Sequence, residues 1–447
     1  MTSSIRAAAA LLLACATSAV ARESIAQDSV RQDTVTLASV RAHERFLTSD
    51  AMRGRGSATA DEALAAAYVA AQFEAAGLVP VPGMTSYIQS APVIRLRVTG
   101  PTLLTIGGAA MPGARLASGA GPAVTGTLFV TDKAGAKIPR GAAILFTGPA
   151  AKHRAIYSAA SKAGATMLMI VDDSPADTTP PRDTVRLADT PQRARMAMVA
   201  IPAAAVGKLK SGAAVTLATP FVEEKAATTN AIGFLPGTDP TAKLLLLTAH
   251  LDHLGVQDDG ICAGANDNAS GTVAVIELAK ALASGPKLKR GVMFVAYGGE
   301  EAGLLGSRYF GEHPPVPLDT IAANVEFEMI GAQDPKLPKG ALMMTGMERS
   351  DLGATMTAQG AKLAADPYLD QHFFERSDNY SLAVKGIVAH TLSGWATVPT
   401  YHTKDDNFAS IDLIFMTDAI RSLVTPLRTL ANSDVQPAWK PNGKPKE

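Results

Sequence analysis

The sequence predicts an α/β protein: a mixed, mostly parallel central sheet with helices on both faces, and a β-rich insert interrupting it. Three observations carry that expectation. After residue 229 short apolar runs of strand length alternate with helical segments, the pattern of a sheet covered on both faces. Between about residues 92 and 225 the composition turns to Val, Thr, Gly and Pro and long helices disappear. The chain has 447 residues, of which 47% are hydrophobic and 18% charged, enough apolar surface for more than one core. The same figures exclude a disordered chain, a fibrous repeat and a small disulfide scaffold.

The elements follow in order. MTSSIRAAAALLLACATSAVA has Arg6 as a positive start, an apolar run over residues 7–16 and Ala19-Val20-Ala21 as a small-x-small cleavage site. It reads as a secretory signal over residues 1–21, with a mature start near Arg22, so the protein is expected to be exported, to a periplasm or outside the cell. A lipobox ending at Cys15 is the alternative, which would anchor an exported lipoprotein. No later segment offers about 18 uninterrupted apolar residues, so no other membrane partner is expected.

Residues 34–78 carry helical spacing, LASVRAHERFLTSD and ADEALAAAYVAAQFEAAGL, broken at Arg53-Gly54-Arg55-Gly56 and stopped at Gly77. The insert at 92–225 holds the strand candidates GTLFVTD, AAILFTG and TMLMIVDD, with YSAASKAG as one helix. Beyond it, LLLLTAH (244–250), VMFVAY (292–297), ANVEFEMI (323–330) and IVAHTL (387–392) read as buried strands. GTVAVIELAKAL (271–282) and EAGLLGSRYFGEH supply the intervening helices. The expected boundaries are 22–91 and 226–432 for one main domain split in sequence, 92–225 for the insert and 433–447 for a polar tail.

Charge and cysteine content narrow the chemistry. Lys and Arg number 41, as do Asp and Glu, so nothing favours a nucleic-acid or anionic-membrane partner. Two cysteines cannot build a thiolate zinc ribbon or an iron–sulfur centre, and once Cys15 leaves, Cys262 is a lone thiol. Any metal is therefore held by His and carboxylates. In open α/β sheets ligands gather at the carboxyl ends of the strands. There the sequence places His250, Asp252, Glu300, Glu301 and Glu328, while Asp267 and His402 lie in loops opening on the same edge. Carboxylates packed this way repel unless cations join them. Mixed imidazole and carboxylate donors favour zinc, with cobalt or manganese as substitutes, over calcium or magnesium. Adjacent Glu300 and Glu301 point different ways, so one can bind metal while the other faces water. GxSxG and HExxH are missing from this region, which argues against a serine hydrolase or a thermolysin-type site.

TAHLDHLG, GANDNASG, GGEEAGLLGS and TYHTKDD, in that order, resemble the co-catalytic zinc aminopeptidase family that includes bacterial leucyl-type aminopeptidases and glutamate carboxypeptidases. Residues 34–82 and 229–430 are similar to its catalytic domain, and 92–225 to a protease-associated domain. The resemblance implies two zinc ions per chain, one held by His250, Asp267 and Glu328, the other by Asp267, Glu301 and His402, with Asp267 bridging. It implies Glu300 as general base, Tyr401 as a donor to the oxyanion, Asp252 as the group orienting His250, and peptides as substrates, shortened from the amino terminus. A carboxypeptidase or dipeptidase, a glutaminyl cyclase-like acyltransferase and an inactive binding relative are the alternatives within that family. Glu328 departs from the family's usual Asp, and Glu326, two residues earlier on the same strand, competes for its place. His253, His372 and His390 hold no motif position and read as structural. Ser377-Asp378 resembles a segment lining the family's site but receives no chemistry. The sequence sets no oligomeric state.

Overall fold

The computed structural model describes residues 34–118, 123–172, 183–189, 196–207, 209–257 and 259–446. The expected signal segment, with Cys15 and the start near Arg22, lies outside the described residues. The chain divides into two units, Met1–Ala91 with Thr228–Glu447, and Pro92–Ala227.

In the larger unit the strand order is Leu363–Ala365, Leu342–Met344, Ala389–Ser393, Ile321–Glu328, Leu244–His250, Val292–Tyr297 and Phe221–Leu235. Leu244–His250 runs parallel to both neighbours, and Ile321–Glu328 parallel to Ala389–Ser393. Phe221–Leu235 and Leu342–Met344 join antiparallel, which makes the sheet mixed. From Leu244–His250 the chain goes first to the strand on one side and then to the strand on the other. The order therefore reverses at the carboxyl end of that strand, at His250, where a crevice forms in such sheets.

Alternation along each strand buries both faces. Leu245, Leu247, Ala249 and Phe294 join the core formed with Leu37–Leu47, Ala60–Ala75, Ser270–Ala283 and Leu413–Asn432. Leu246, Met293, Val295 and Tyr297 face the opposite way, onto Phe310, Leu382 and Ala383. Thr59 starts Ala60–Ala75 by accepting from the amides of Asp61 and Glu62.

Two expectations are corrected. The strand proposed to reach Ile330 stops at Glu328, because Met329 takes a left-handed φ of 53° that no strand accommodates. The C-terminal segment is not merely a polar tail. Arg290 donates to the carbonyls of Ser433 and Val435, and Trp439 Nε1 donates to Gly386 O at 3.0 Å.

In the smaller unit the order is Ala109–Ala110, Leu103–Ile106, Ala214–Ala218, Val124–Thr131, Ala142–Phe146, Met167–Val171, Ala197–Ile201 and Arg115–Ser118. The run from Val124–Thr131 to Ala197–Ile201 is parallel. The helix His153–Ala163 buries Ile156 and Ala160 against Ile144, Phe146 and Leu168 and ends at Gly164 with φ 69°. Leu128, Leu145, Met167 and Val199 make a separate core on the other face.

Candidate active site

His250 closes its strand in register with Tyr297. Its Nδ1 meets the main-chain carbonyl of Asp252 at 3.2 Å, which leaves Nε2 facing Asp267 Oδ1 at 3.3 Å. The Asp252 carboxylate, expected to orient His250, lies beside the same nitrogen, with Oδ1 3.7 Å from Nδ1. That carboxylate also accepts from Ser57 Oγ at 2.5 Å, Glu300 N at 3.1 Å and Glu301 N at 3.4 Å. Asp252 thus orders the Glu300–Glu301 turn, and both its carbonyl and its carboxylate lie beside the imidazole.

The polar residues of GANDNASG fix the Asp267 loop. Asp406 accepts from the amides of Asn266 at 2.8 Å and Asp267 at 3.0 Å. Asn268 Oδ1 accepts from Gly271 N and Met329 N, and Ser270 Oγ from Ile330 N, tying the loop to the end of the Glu328 strand. Thr272 Oγ1 donates to His250 O at 2.7 Å. Beneath them Arg55, fully buried, donates to the carbonyls of Leu251, Leu47, Ala263 and Gly264 at 2.6–2.9 Å. A guanidinium from the N-terminal segment thus lies below the site, spent on carbonyls.

Two donor groups meet at Asp267. His250, Asp267 and Glu328 bring one ligand atom each within 4.8 Å of one another, and so do His253, Asp267 and Glu301. His402 Nε2 lies 3.2 Å from Asp267 Oδ2 and 3.1 Å from Glu301 Oε1. At these separations hydrogen bonds would be expected, yet His250 Nε2, His402 Nε2 and Glu301 Oε1 are buried without a hydrogen-bond partner. The lone pairs and N–H bonds are aimed between the groups, not along the lines joining them. Each buried orphan costs about 1–3 kcal/mol, so the arrangement fits a shared cation better than it fits a polar network. A tetrahedral zinc with bonds of about 2.0–2.2 Å requires donors about 3.3–3.6 Å apart, and the spacings between His402 and the two carboxylates approach that.

Electrostatics follow from burial and crowding. Burial raises Glu300 well above the carboxylate range, and Glu301, Asp378 and Glu328 add to it against the opposing His250. Burial also works to raise Asp267, but the His250, His402 and His253 imidazoles outweigh it and hold Asp267 low. For His402 burial lowers and the carboxylates of Asp267 and Glu301 raise; the carboxylates win, pushing it up to about 9.

The structure brings Asp252, Asp267, Glu300, Glu301, Glu328, His250 and His402 to one crevice, with Tyr401 stacked on His402 at 3.8 Å between ring centres. Burial, then Asp267 and Glu301, push the Tyr401 phenol upward, so it stays a neutral O–H donor. Glu326 is occupied elsewhere: its carboxylate accepts from Ser377 Oγ, Asn379 N and Thr391 Oγ1. Asp378 is buried with neither carboxylate oxygen hydrogen-bonded, and burial pushes it up to about 7. Asp267, Glu300 and Glu328 line a cleft whose other walls include Met329, Met343 and Arg376.

Residues 230–424 match the model of peptidase family M28. The likeness to that family covers somewhat less than half of the chain. Among curated relatives, "Probable lipoprotein aminopeptidase LpqL" of Mycobacterium tuberculosis is 29% identical over 205 residues, 39% of this chain and 40% of the relative. "Leupeptin-inactivating enzyme 1" of Streptomyces exfoliatus is 35% identical over 131 residues, 29% of this chain and 28% of the relative. The chain thus spans less than half the length of these curated relatives. Among solved structures, an aminopeptidase from Aneurinibacillus sp. strain AM-1 superposes with a TM-score of 0.61 at 19% identity, over 94% of this chain and all of that one. BSAP, a zinc aminopeptidase from Bacillus subtilis, gives 0.58 at 20% identity over 92% and 97%. At that identity the superpositions establish a shared fold.

Sequence reasoning missed Arg55 and Asp406, and gave His253 no place beside the site. Arg55 and Asp406 act through contacts more than 130 residues away in sequence, for which no local pattern exists. His253 did carry a signal, since it lies in TAHLDHLG three residues after His250. His253, read as structural, lies with Nδ1 2.9 Å from Glu301 Oε1, whereas in His390, read likewise, Nδ1 meets Thr345 O and Nε2 meets Ser350 Oγ.

Proposed function

We propose that this chain is an exported aminopeptidase that hydrolyses N-terminal residues from peptides at a two-cation centre. The observation that carries the reading is the set of buried, unpartnered imidazole and carboxylate atoms converging on Asp267. His250, Asp267 and Glu328 would hold one zinc, and Asp267, Glu301 and His402 the other, with cobalt or manganese as substitutes. Divalent cations in such a site supply charge that lowers a water's pKa and polarises a carbonyl.

The chain's own residues do the rest. Asp252 fixes the Glu300 turn through two amide hydrogen bonds, so Glu300 presents its carboxylate to the cleft next to Glu301. Glu300 takes a proton from water and delivers it to the leaving amine, a role suited to a carboxyl whose affinity for protons burial has raised. Tyr401 offers a neutral O–H toward the same cleft. Export is supported by the N-terminal segment, and no helix among the described residues is long and apolar enough to cross a membrane. For the insert, its parallel-centred sheet with one packed helix supports a protease-associated domain.

The test is hydrolysis of an unblocked peptide and its N-acetylated form. Release of the N-terminal residue from the unblocked peptide alone supports the reading; equal cleavage of both, or release from the carboxyl end, overturns it.

A further inference from the structure

His253 is the imidazole that the ligand set above does not use. It is fully buried, and neither ring nitrogen has a hydrogen-bond partner. His390, equally buried, shows what a structural imidazole looks like in this protein, with one nitrogen on a carbonyl and the other on a hydroxyl. His253 Nδ1 lies 2.9 Å from Glu301 Oε1 and 4.0 Å from Asp267 Oδ2. Glu301 Oε1 is itself unpartnered despite that proximity, so the two atoms face a common point instead of sharing a proton. His402 Nε2 faces the same two oxygens from 3.1 and 3.2 Å, its ring at 75° to that of His253. These separations of 2.9, 3.1, 3.2 and 4.0 Å bracket the roughly 3.3 Å between donors around a tetrahedral zinc.

The backbone is built to hold the ring there. His253 N donates to Arg55 O at 3.1 Å. Gly264 lies against the imidazole: a Cβ on it would stand 2.4 Å from His253 Cγ, and its φ of 58° already disfavours a side chain. The loop that carries Asp267 therefore leaves room for this one ring.

We propose that His253 Nδ1 is a further ligand of the second cation position, which is then closed by four protein donors, Asp267, Glu301, His402 and His253. The first position, with His250, Asp267 and Glu328, keeps room for substrate and water. Closed four-donor sites retain zinc, and three-donor sites exchange a ligand. The two positions thus divide the work, one anchoring the bridging Asp267 and the other open to the reaction. This rests on the two-cation reading above.

The experiment loads the wild-type chain with NMR-active cadmium after labelling its histidines with nitrogen-15, and counts the imidazoles coupled to each metal signal. One signal coupled to two imidazoles, one of them through Nδ1, and a second coupled to one is the expected result. Two signals each coupled to a single imidazole overturn the assignment of His253 and leave the two-cation reading intact. A chain that binds no cadmium or zinc overturns that reading and this assignment with it. His253→Gln provides a second readout: it should keep one metal equivalent and bind the other at least about 100-fold more weakly in chelator competition. Unchanged affinity for both would also overturn the assignment.

Discussion

Arg55→Met removes the guanidinium that joins the N-terminal segment to both halves of the candidate site. Four buried carbonyls, those of Leu47, Leu251, Ala263 and Gly264, lose their donor together. Leaving a buried acceptor unsatisfied costs about 1–3 kcal/mol, so the gross loss is at least about 4 kcal/mol. Removing a buried charge returns part of the larger values, which centres the expectation at about 4–6 kcal/mol. At roughly 2 °C per kcal/mol for a unit of this size, the midpoint of thermal unfolding should fall by about 8–12 °C. The assay is calorimetry on the metal-free protein, so that bound cations do not mask the change. Arg55→Lys, whose ammonium reaches fewer of the four carbonyls, should lie between wild type and Met. A fall of less than about 2 °C for Arg55→Met would refute the reasoning, since the carbonyls would then have found other partners at no cost.

Three further expectations follow from named contacts. Glu300→Gln should keep near-normal metal content while turnover falls by about 10²–10⁴; turnover near wild type in a kinetic assay would remove Glu300 as the base. His390, hydrogen-bonded to Thr345 O and Ser350 Oγ, has its pKa pushed down to about 4 by burial, against the opposing hydrogen bond to Thr345. The unfolded chain protonates first as pH falls, so this contribution is complete above about pH 6.5 and lost progressively toward pH 4, by roughly 2 kcal/mol at pH 5. Urea midpoints at pH 7 and 5 should show a smaller drop for His390→Gln than for wild type, and an identical drop contradicts it. Gly264→Ala would put a Cβ 2.3 Å from Asp267 O and 2.4 Å from His253 Cγ at a φ of 58°. It should lower stability by about 1–3 kcal/mol and loosen metal retention, and wild-type values in both measurements would show that the loop yields.

The strands that carry the site were legible because apolar runs such as LLLLTAH and VMFVAY can be little else between turn residues, and both begin and end where expected. Ile321–Glu328 was less so: Met329 turns left-handed under hydrogen bonds from a loop some 60 residues earlier, which leaves no local trace. At the site, the residues that convergence of strand ends would gather were readable from order alone. What holds them was not. Asp252 does more than expected, because its carboxylate, besides lying beside His250, also holds two amides and a hydroxyl that arrive from other stretches of chain. Arg55 read only as part of a helix break, since its partners arrive from three separate stretches of chain.

The most direct test of the two-cation centre is zinc content per chain, measured by elemental analysis after unbound metal is removed. The account predicts two equivalents in the wild-type protein. A wild-type chain holding one equivalent or none would contradict it.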